Sequence, residues 1–156
     1  AFATRSSLSN IPVNLALASS LGLRGKTAEL LVPLAAVLHM PGAAVTIASV
    51  TVFCAAVLGI EIDGTSILVL LPATVLAAAA ASGIPNGSVL MLPAILGLAG
   101  VSPADQGLCV SVYFAADILQ DAVGTALNSS GDVYLAAAAE RSVLGNGAET
   151  VGPRHP

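Results

Sequence analysis

Asp117, Asp121, Thr125, Asn128 and Asp132 follow one another at intervals of 4, 4, 3 and 4 residues, the spacing that stacks side chains on one face of an α-helix. Most of the residues between them are Val, Ile, Leu and Ala. Carboxylates on such a stripe attract an ammonium group or a cation, and an Asn amide can donate to a carboxylate while accepting from other groups. In lipid the stripe must face a partner, water or an ion, because a charge at the bilayer centre costs about 2.5–3.5 kcal/mol even on the lenient insertion scale. Asp121, Asn128 and Asp132 are therefore expected to bind. Asp117 stays open between the site and a solvated helix face. Arg5 is the cation placed to reach membrane depth, and it is expected to balance Asp121 across the bundle.

The composition puts that stripe in a membrane. Hydrophobic residues make up 56% of the chain and charged residues 9%, against about 25% charged in ordinary soluble domains, and the mean hydropathy is +0.91. No charge occurs from Leu30 to Ile60 or from Gly64 to Ala104, and each run exceeds the roughly 20 residues of a membrane span. A net charge of -4 without a basic stripe, and aromatics at 3%, exclude nucleic acid as a partner. Cys54 and Cys109, with no C-x-x-C spacing, read as small buried residues. The opening Ala1-Phe-Ala-Thr-Arg5 lacks a basic-then-apolar leader and reads as the start of a partial sequence.

Four apolar blocks must position the stripe. The first, 11–23, is short and follows the polar tip Thr4 to Asn10. The second, 28–58, is interrupted at His39-Met-Pro-Gly42, where Pro41 removes a helix hydrogen bond and Gly42 loosens the backbone; it reads as two half-helices. The third, 66–98, is interrupted at Ser82-Gly-Ile-Pro-Asn-Gly-Ser88. The fourth, 108–139, is the long polar helix, and 140–156 reads as a disordered tail.

Charge placement favours a third block that dips into the membrane and returns. Arg24, Lys26, Arg141 and Arg154 then share one side, with Glu61, Asp63 and Asp105 on the other, as the positive-inside rule expects. Ser9-Asn-Ile-Pro12 and Ser82-Gly-Ile-Pro85 echo each other as two loop tips. Paired interrupted segments of this kind point to an inverted-repeat transporter and its binding site.

At these residues the chain resembles the dicarboxylate/amino acid:cation symporter family, most closely its bacterial sodium/serine-threonine symporters. Thr4-Arg-Ser-Ser-Leu-Ser-Asn-Ile-Pro-Val-Asn14 resembles the tip of that family's first re-entrant hairpin, and Pro33 to Ala44 its broken seventh helix. Ser82 to Ser88 resembles the tip of the second hairpin, and Leu119-Gln-Asp-Ala-Val-Gly-Thr-Ala-Leu-Asn-Ser-Ser-Gly-Asp132 the eighth helix. The resemblance implies an all-α membrane protein: the transport domain of an elevator-type symporter, with a truncated first hairpin (1–23), a broken helix, a second re-entrant hairpin and a polar helix, all within 1–139. It implies scaffold helices outside this chain, a trimer, and the cell membrane.

It also implies roles. Asp121 would hold a substrate amino group and Asn128 its carboxylate, with Thr125, Ser6, Ser7 and Met40 lining the pocket and Ile84 in the gate. Asp132 and Asn128, with carbonyls near Ala35 and His39, would hold one sodium ion; carbonyls near Val37, Met40 and Ala81 would hold a second. No other cofactor is implied. Acidic-substrate members carry an Arg where this chain has Gly124, so the resemblance implies a small neutral amino acid, serine or threonine. The family's Asn-Met-x-Gly is here His39-Met-Pro-Gly42, and His39 stays open between a packed residue and a cation ligand; imidazole titrates near neutrality, so proton coupling is the alternative to sodium. An intramembrane aspartyl protease, with its Gly-x-Gly-Asp signature, is a poor match to Ser129-Ser-Gly-Asp132, whose acids line one helix. A purely structural membrane module would not require the stripe.

Overall fold

Repeated local signals set the helix boundaries. The computed structural model of the chain describes residues 1–81 and 83–144. They form a 3-10 turn, Leu8–Asn10, and six α-helices: α1 Ile11–Ser20, α2 Gly25–Leu38, α3 Pro41–Val57, α4 Gly64–Ala80, α5 Gly87–Leu98 and α6 Pro103–Leu144. Among the described residues there is no strand. The ends of α1, α3 and α5 share one device. Gly22, Gly59 and Gly100 adopt φ of +81°, +71° and +86°, and the following N–H groups of Leu23, Ile60 and Val101 donate to the carbonyls of Ala18, Ala55 and Leu96 at 3.1, 2.8 and 3.0 Å. This is the Schellman closure, which glycine adopts without a Cβ penalty.

Starts are equally local. Pro41 opens α3, where a missing N–H costs nothing. Asp63 accepts the Ser66 N–H at 2.7 Å to cap α4, and that bond holds its carboxyl below the usual carboxylate range. The Ser102 hydroxyl accepts the Asp105 N–H at 3.3 Å to start α6.

Two expected boundaries move. The polar helix runs from Pro103 to Leu144 rather than from 108 to 139, because the Ser102 cap starts it earlier and the Glu140 carboxylate accepts the Arg24 N–H at 3.1 and 3.2 Å. Residues 140–144, expected in a disordered tail, are therefore helical. The rest of that tail, with Arg154, and Ser82 of the second tip lie outside the described residues.

At about 1.5 Å per residue, α6 is about 63 Å long and packs along α2 and α3. Its two ends bury different apolar clusters. Val133 and Ala136 pack with Ala18, Ala28 and Val32 of α1 and α2. Cys109 and Tyr113 pack with Ile47, Leu92 and Leu96 of α3 and α5. Between these clusters lies the polar stripe.

The surface inverts the pattern of a water-soluble bundle. Leu68, Leu76 and Ile118 are 75%, 72% and 74% exposed while Asp121 and Asp132 are 9% and 0% exposed, the distribution expected where lipid is the solvent. Two helical stretches, Gly25–Val57 and Pro103–Val143, are long and apolar enough to cross a bilayer.

Candidate functional site

The break between α2 and α3 brings two helix ends to the middle of the bundle. The break falls at His39 and Met40, where α2 stops and Pro41 begins α3. The carbonyl end of α2 and the N–H end of α3 thus face α6 with opposite partial charges. The Gly42 N–H donates to Asn128 Oδ1 at 2.7 Å, and Asn128 Nδ2 donates to Met40 Sδ at 3.3 Å. This fit requires a glycine: a Cβ on Gly42 would collide with the Gly124 carbonyl oxygen and stand 2.6 Å from its Cα.

The two loop tips close over this junction. Ser6 Oγ donates to the Gly83 carbonyl at 3.0 Å, and the Leu8 N–H reaches the same oxygen at 3.4 Å. Gly83 has φ of +64°, and a Cβ there would stand 2.6 Å from the Ala36 carbonyl oxygen. The second tip therefore rests directly on the last turn of α2.

Beneath the tips lies a cleft of about 320 Å³ of empty space, its open mouth included. Ser7, Met40, Ile84, Asp121, Thr125 and Asn128 line it, and so does Ala81. Ser6 does not, because its hydroxyl is committed to Gly83. The wall also includes Thr46, Ser88, Ala43 and Gly124. Thr46 escaped the sequence reading although it stands one helical turn beyond Gly42. Ser7 Oγ and Asp121 Oδ2 are buried without a hydrogen-bond partner.

Charge at the cavity is unbalanced. Arg5 lies 3.0 Å from Asp117 Oδ2 and 3.9 Å from Asp121 Oδ2. The balancing contact expected at Asp121 is thus made chiefly with Asp117, which is buried and not part of a solvated face. Two carboxylates face one guanidinium, so an ammonium group entering beside Asp121 supplies the missing counter-charge.

Asp132 stands apart from the cavity. Both its oxygens are buried and unpartnered, and the nearest basic group is His39 Nδ1 at 3.9 Å from Oδ1. The His39 ring occupies the space that a side chain at Gly131 would need, with Nδ1 2.8 Å from a Cβ placed there. Ala35, Val37 and His39 lie in the last turn of α2 and the break; the Ala35 carbonyl already accepts the His39 N–H at 2.8 Å. Among the described residues no three His, Cys, Asp or Glu side chains converge, so the site offers scattered carboxylate, amide and carbonyl oxygens, a donor set for a hard cation. One further polar link was not foreseen: Asn14 Nδ2 donates to Ser129 Oγ at 2.9 Å, tying α1 to α6.

No solved structure matches the chain. The serine/threonine transporter SstT of Streptococcus thermophilus is 44% identical over 142 residues, covering 91% of this chain and 35% of the relative. The protein of that name from Acinetobacter baumannii is 43% identical over 140 residues, covering 90% and 35%, and that from Streptococcus agalactiae is 42% identical over 145 residues, covering 93% and 36%. The chain thus spans about a third of the length of these relatives. Sodium:dicarboxylate symporter family sequences match residues 1–142, and with the broken helix, the two tips and the buried stripe all inside that match, the chain belongs to this membrane transporter family.

Proposed function

We propose that this chain is the substrate- and ion-binding core of a sodium-coupled symporter for small neutral amino acids, serine or threonine, in the cell membrane. The observation that carries the reading is the cavity under the two tips, where buried Asp121 lacks a full counter-charge and Ser7 Oγ lacks a partner. A zwitterion meets both needs: its ammonium group pairs with Asp121, its carboxylate accepts from Asn128, and a side-chain hydroxyl meets Thr125 or Ser7. Gly124 offers nothing to a second carboxylate, which disfavours dicarboxylates. Sodium is assigned to Asp132 and Asn128 with carbonyls of Ala35 and His39, and a second ion to carbonyls of Val37, Met40 and Ala81. The relatives named serine/threonine transporters support the substrate class.

The multi-pass arrangement follows the same reading. Helix α5, at about 18 Å, and α1, at about 15 Å, fall short of the roughly 30 Å hydrocarbon core, as arms of re-entrant hairpins do. Arg24 meets Glu140 at one end of the bundle, while Ile60 abuts Gly100 at the other. Arg24, Lys26 and Arg141 then share the inner side, and Glu61, Asp63 and Asp105 the outer. Loaded with ion and substrate, this core moves as one body against scaffold helices, within a trimer.

Uptake of radiolabelled serine by proteoliposomes holding the full-length protein tests the proposal. Inward sodium is expected to drive it, unlabelled threonine to compete, and aspartate to fail; serine uptake indifferent to sodium would sink it. A proton-coupled alternative is favoured by one observation, His39 beside Asp132. It predicts uptake that follows a pH gradient with sodium absent.

A further inference from the structure

Asp117 has no role in the substrate or cation sets above, yet it is buried and takes donors from both loop tips. Arg5 Nη1, from the first tip, donates to Oδ2 at 3.0 Å. Asn86, from the second tip, with its amide nitrogen turned toward the carboxylate, donates at 3.1 Å to both Oδ1 and Oδ2. Arg5 and Asn86 are also the two non-glycine residues with left-handed backbone among the described residues, at φ of +48° and +57°. Side chains bearing a Cβ rarely adopt that region, and such residues persist where their surroundings over-determine them. Here both departures aim a donor at the same carboxylate.

We propose that Asn86 and Asp117 form a clasp that holds the second tip down over the cavity before any ligand arrives, with Asn86 as the positioning residue of the closure. The chemistry of the clasp suits that task. A second cation in place of Asn86 would match both carboxylates and leave Asp121 no charge to offer an ammonium group. A neutral amide fastens the tip to Asp117 without adding a charge beside Asp121, to which Asn86 offers only a backbone hydrogen bond. Side-chain closure and charge recognition thus fall chiefly on carboxylates one helical turn apart. This inference rests on the reading of the cavity as the substrate site.

The test measures opening rather than transport. In the full-length protein with Cys54, Cys109 and any other cysteine replaced by alanine, a Thr125→Cys probe is placed in the cavity wall. Its reaction rate with a hydrophilic maleimide is followed without substrate or sodium. Asn86→Gly keeps the left-handed backbone at no steric cost and removes the amide, so labelling is expected to quicken about tenfold or more, the scale of a hydrogen bond to a charged group. Asn86→Asp sets like charges together and is expected to open the tip further. Exchanging acid and amide, Asn86→Asp with Asp117→Asn, is expected to return the rate toward that of the unmodified clasp. Labelling of Asn86→Gly at the original rate, or an exchange pair as fast as Asn86→Asp alone, overturns the clasp. The exchange pair decides the matter if Asn86→Gly folds poorly. Serine uptake by the unsubstituted protein is scored separately. Uptake with an unchanged labelling rate rejects the clasp and spares the transport reading, whereas the labelling effect without uptake does the reverse.

Discussion

Two glycines in mutual contact, Gly42 of α3 and Gly124 of α6, are expected to respond to alanine with opposite signs. At Gly42 the added methyl meets backbone: it would collide with the Gly124 carbonyl oxygen and lie 2.6 Å from its carbonyl carbon and Cα. Backbone cannot swing aside, so the start of α3 must retreat about 1 Å to reach ordinary contact. That retreat strains the 2.7 Å bond from the Gly42 N–H to Asn128 Oδ1. Overpacking costs about 1–3 kcal/mol, and a buried pair pulled apart about 1–3 kcal/mol. The helical advantage of alanine over glycine returns at most about 1 kcal/mol. A net loss of about 1–5 kcal/mol follows. At Gly124 the added methyl finds Gly42 carbonyl atoms at 3.5 Å and Thr46 Oγ1 at 3.6 Å, ordinary van der Waals contact. Gly124→Ala in mid-helix should therefore stabilise by about 0.5–1 kcal/mol. Thermal loss of monodisperse protein in detergent, measured without ligand, ranks the two variants against wild type. If Gly42→Ala melts no lower than wild type, or if Gly124→Ala is the more damaging, the close approach inferred for α3 and α6 is wrong.

Two further outcomes follow from the same contacts. Gly83→Ala faces both a positive φ and the Ala36 carbonyl at 2.6 Å, so it is expected to unseat the second tip and abolish serine uptake while the melting temperature falls little, because few core side chains depend on the tip; normal uptake would show that the tip does not rest on α2. Asp132→Asn removes a buried carboxylate whose oxygens lack partners, so the ligand-free variant should melt at or above wild type yet show none of the rise in melting temperature that sodium is expected to give the wild type; a retained sodium-dependent rise would place the ion elsewhere.

Legibility in the sequence divides along physical lines. The break at His39 and Met40 was readable because Pro41 and Gly42 act on their own backbone whatever surrounds them. The stripe was readable because helical periodicity alone places Asp121, Thr125, Asn128 and Asp132 on one face. What depended on three-dimensional reach was not. Asp117 and Asp121, one turn apart, are equivalent in spacing, and only the folded position of the first tip brings Arg5 to 3.0 Å from one and 3.9 Å from the other. Ser6 and Ser7 are neighbours of identical chemistry, yet the turn sends one to Gly83 and the other to the cavity. The extent of α6 was underestimated because apolar runs mark where lipid or core is, whereas the Ser102 cap and the Glu140 contact carry the helix through polar residues at both ends. The Asn14 bond to Ser129 joins residues 115 apart in the chain, and no local pattern announces it.

Asn128 is the α6 side chain that both lines the cavity and bonds the helix break, which, on the proposed reading, makes it the expected link between substrate and ion. Its Oδ1 is held by the Gly42 N–H and its Nδ2 by Met40 Sδ, so with no ligand present the amide is committed to the junction. A substrate carboxylate that recruits Nδ2 draws it from a weak sulfur acceptor, and a cation beside Asp132 that recruits Oδ1 competes with the Gly42 N–H. Either event fixes the amide orientation that the other also needs. Coupling of that kind is reciprocal: sodium should tighten serine by the same factor that serine tightens sodium, typically 5- to 150-fold, or about 1–3 kcal/mol. Asn128→Ala is expected to leave a serine affinity that no longer responds to sodium, beyond any general weakening, as measured by calorimetric titration of serine at low and saturating sodium. Should the alanine variant keep the sodium-dependent gain of the wild type, the link runs through some other group, and the shared amide is only a wall of the cavity.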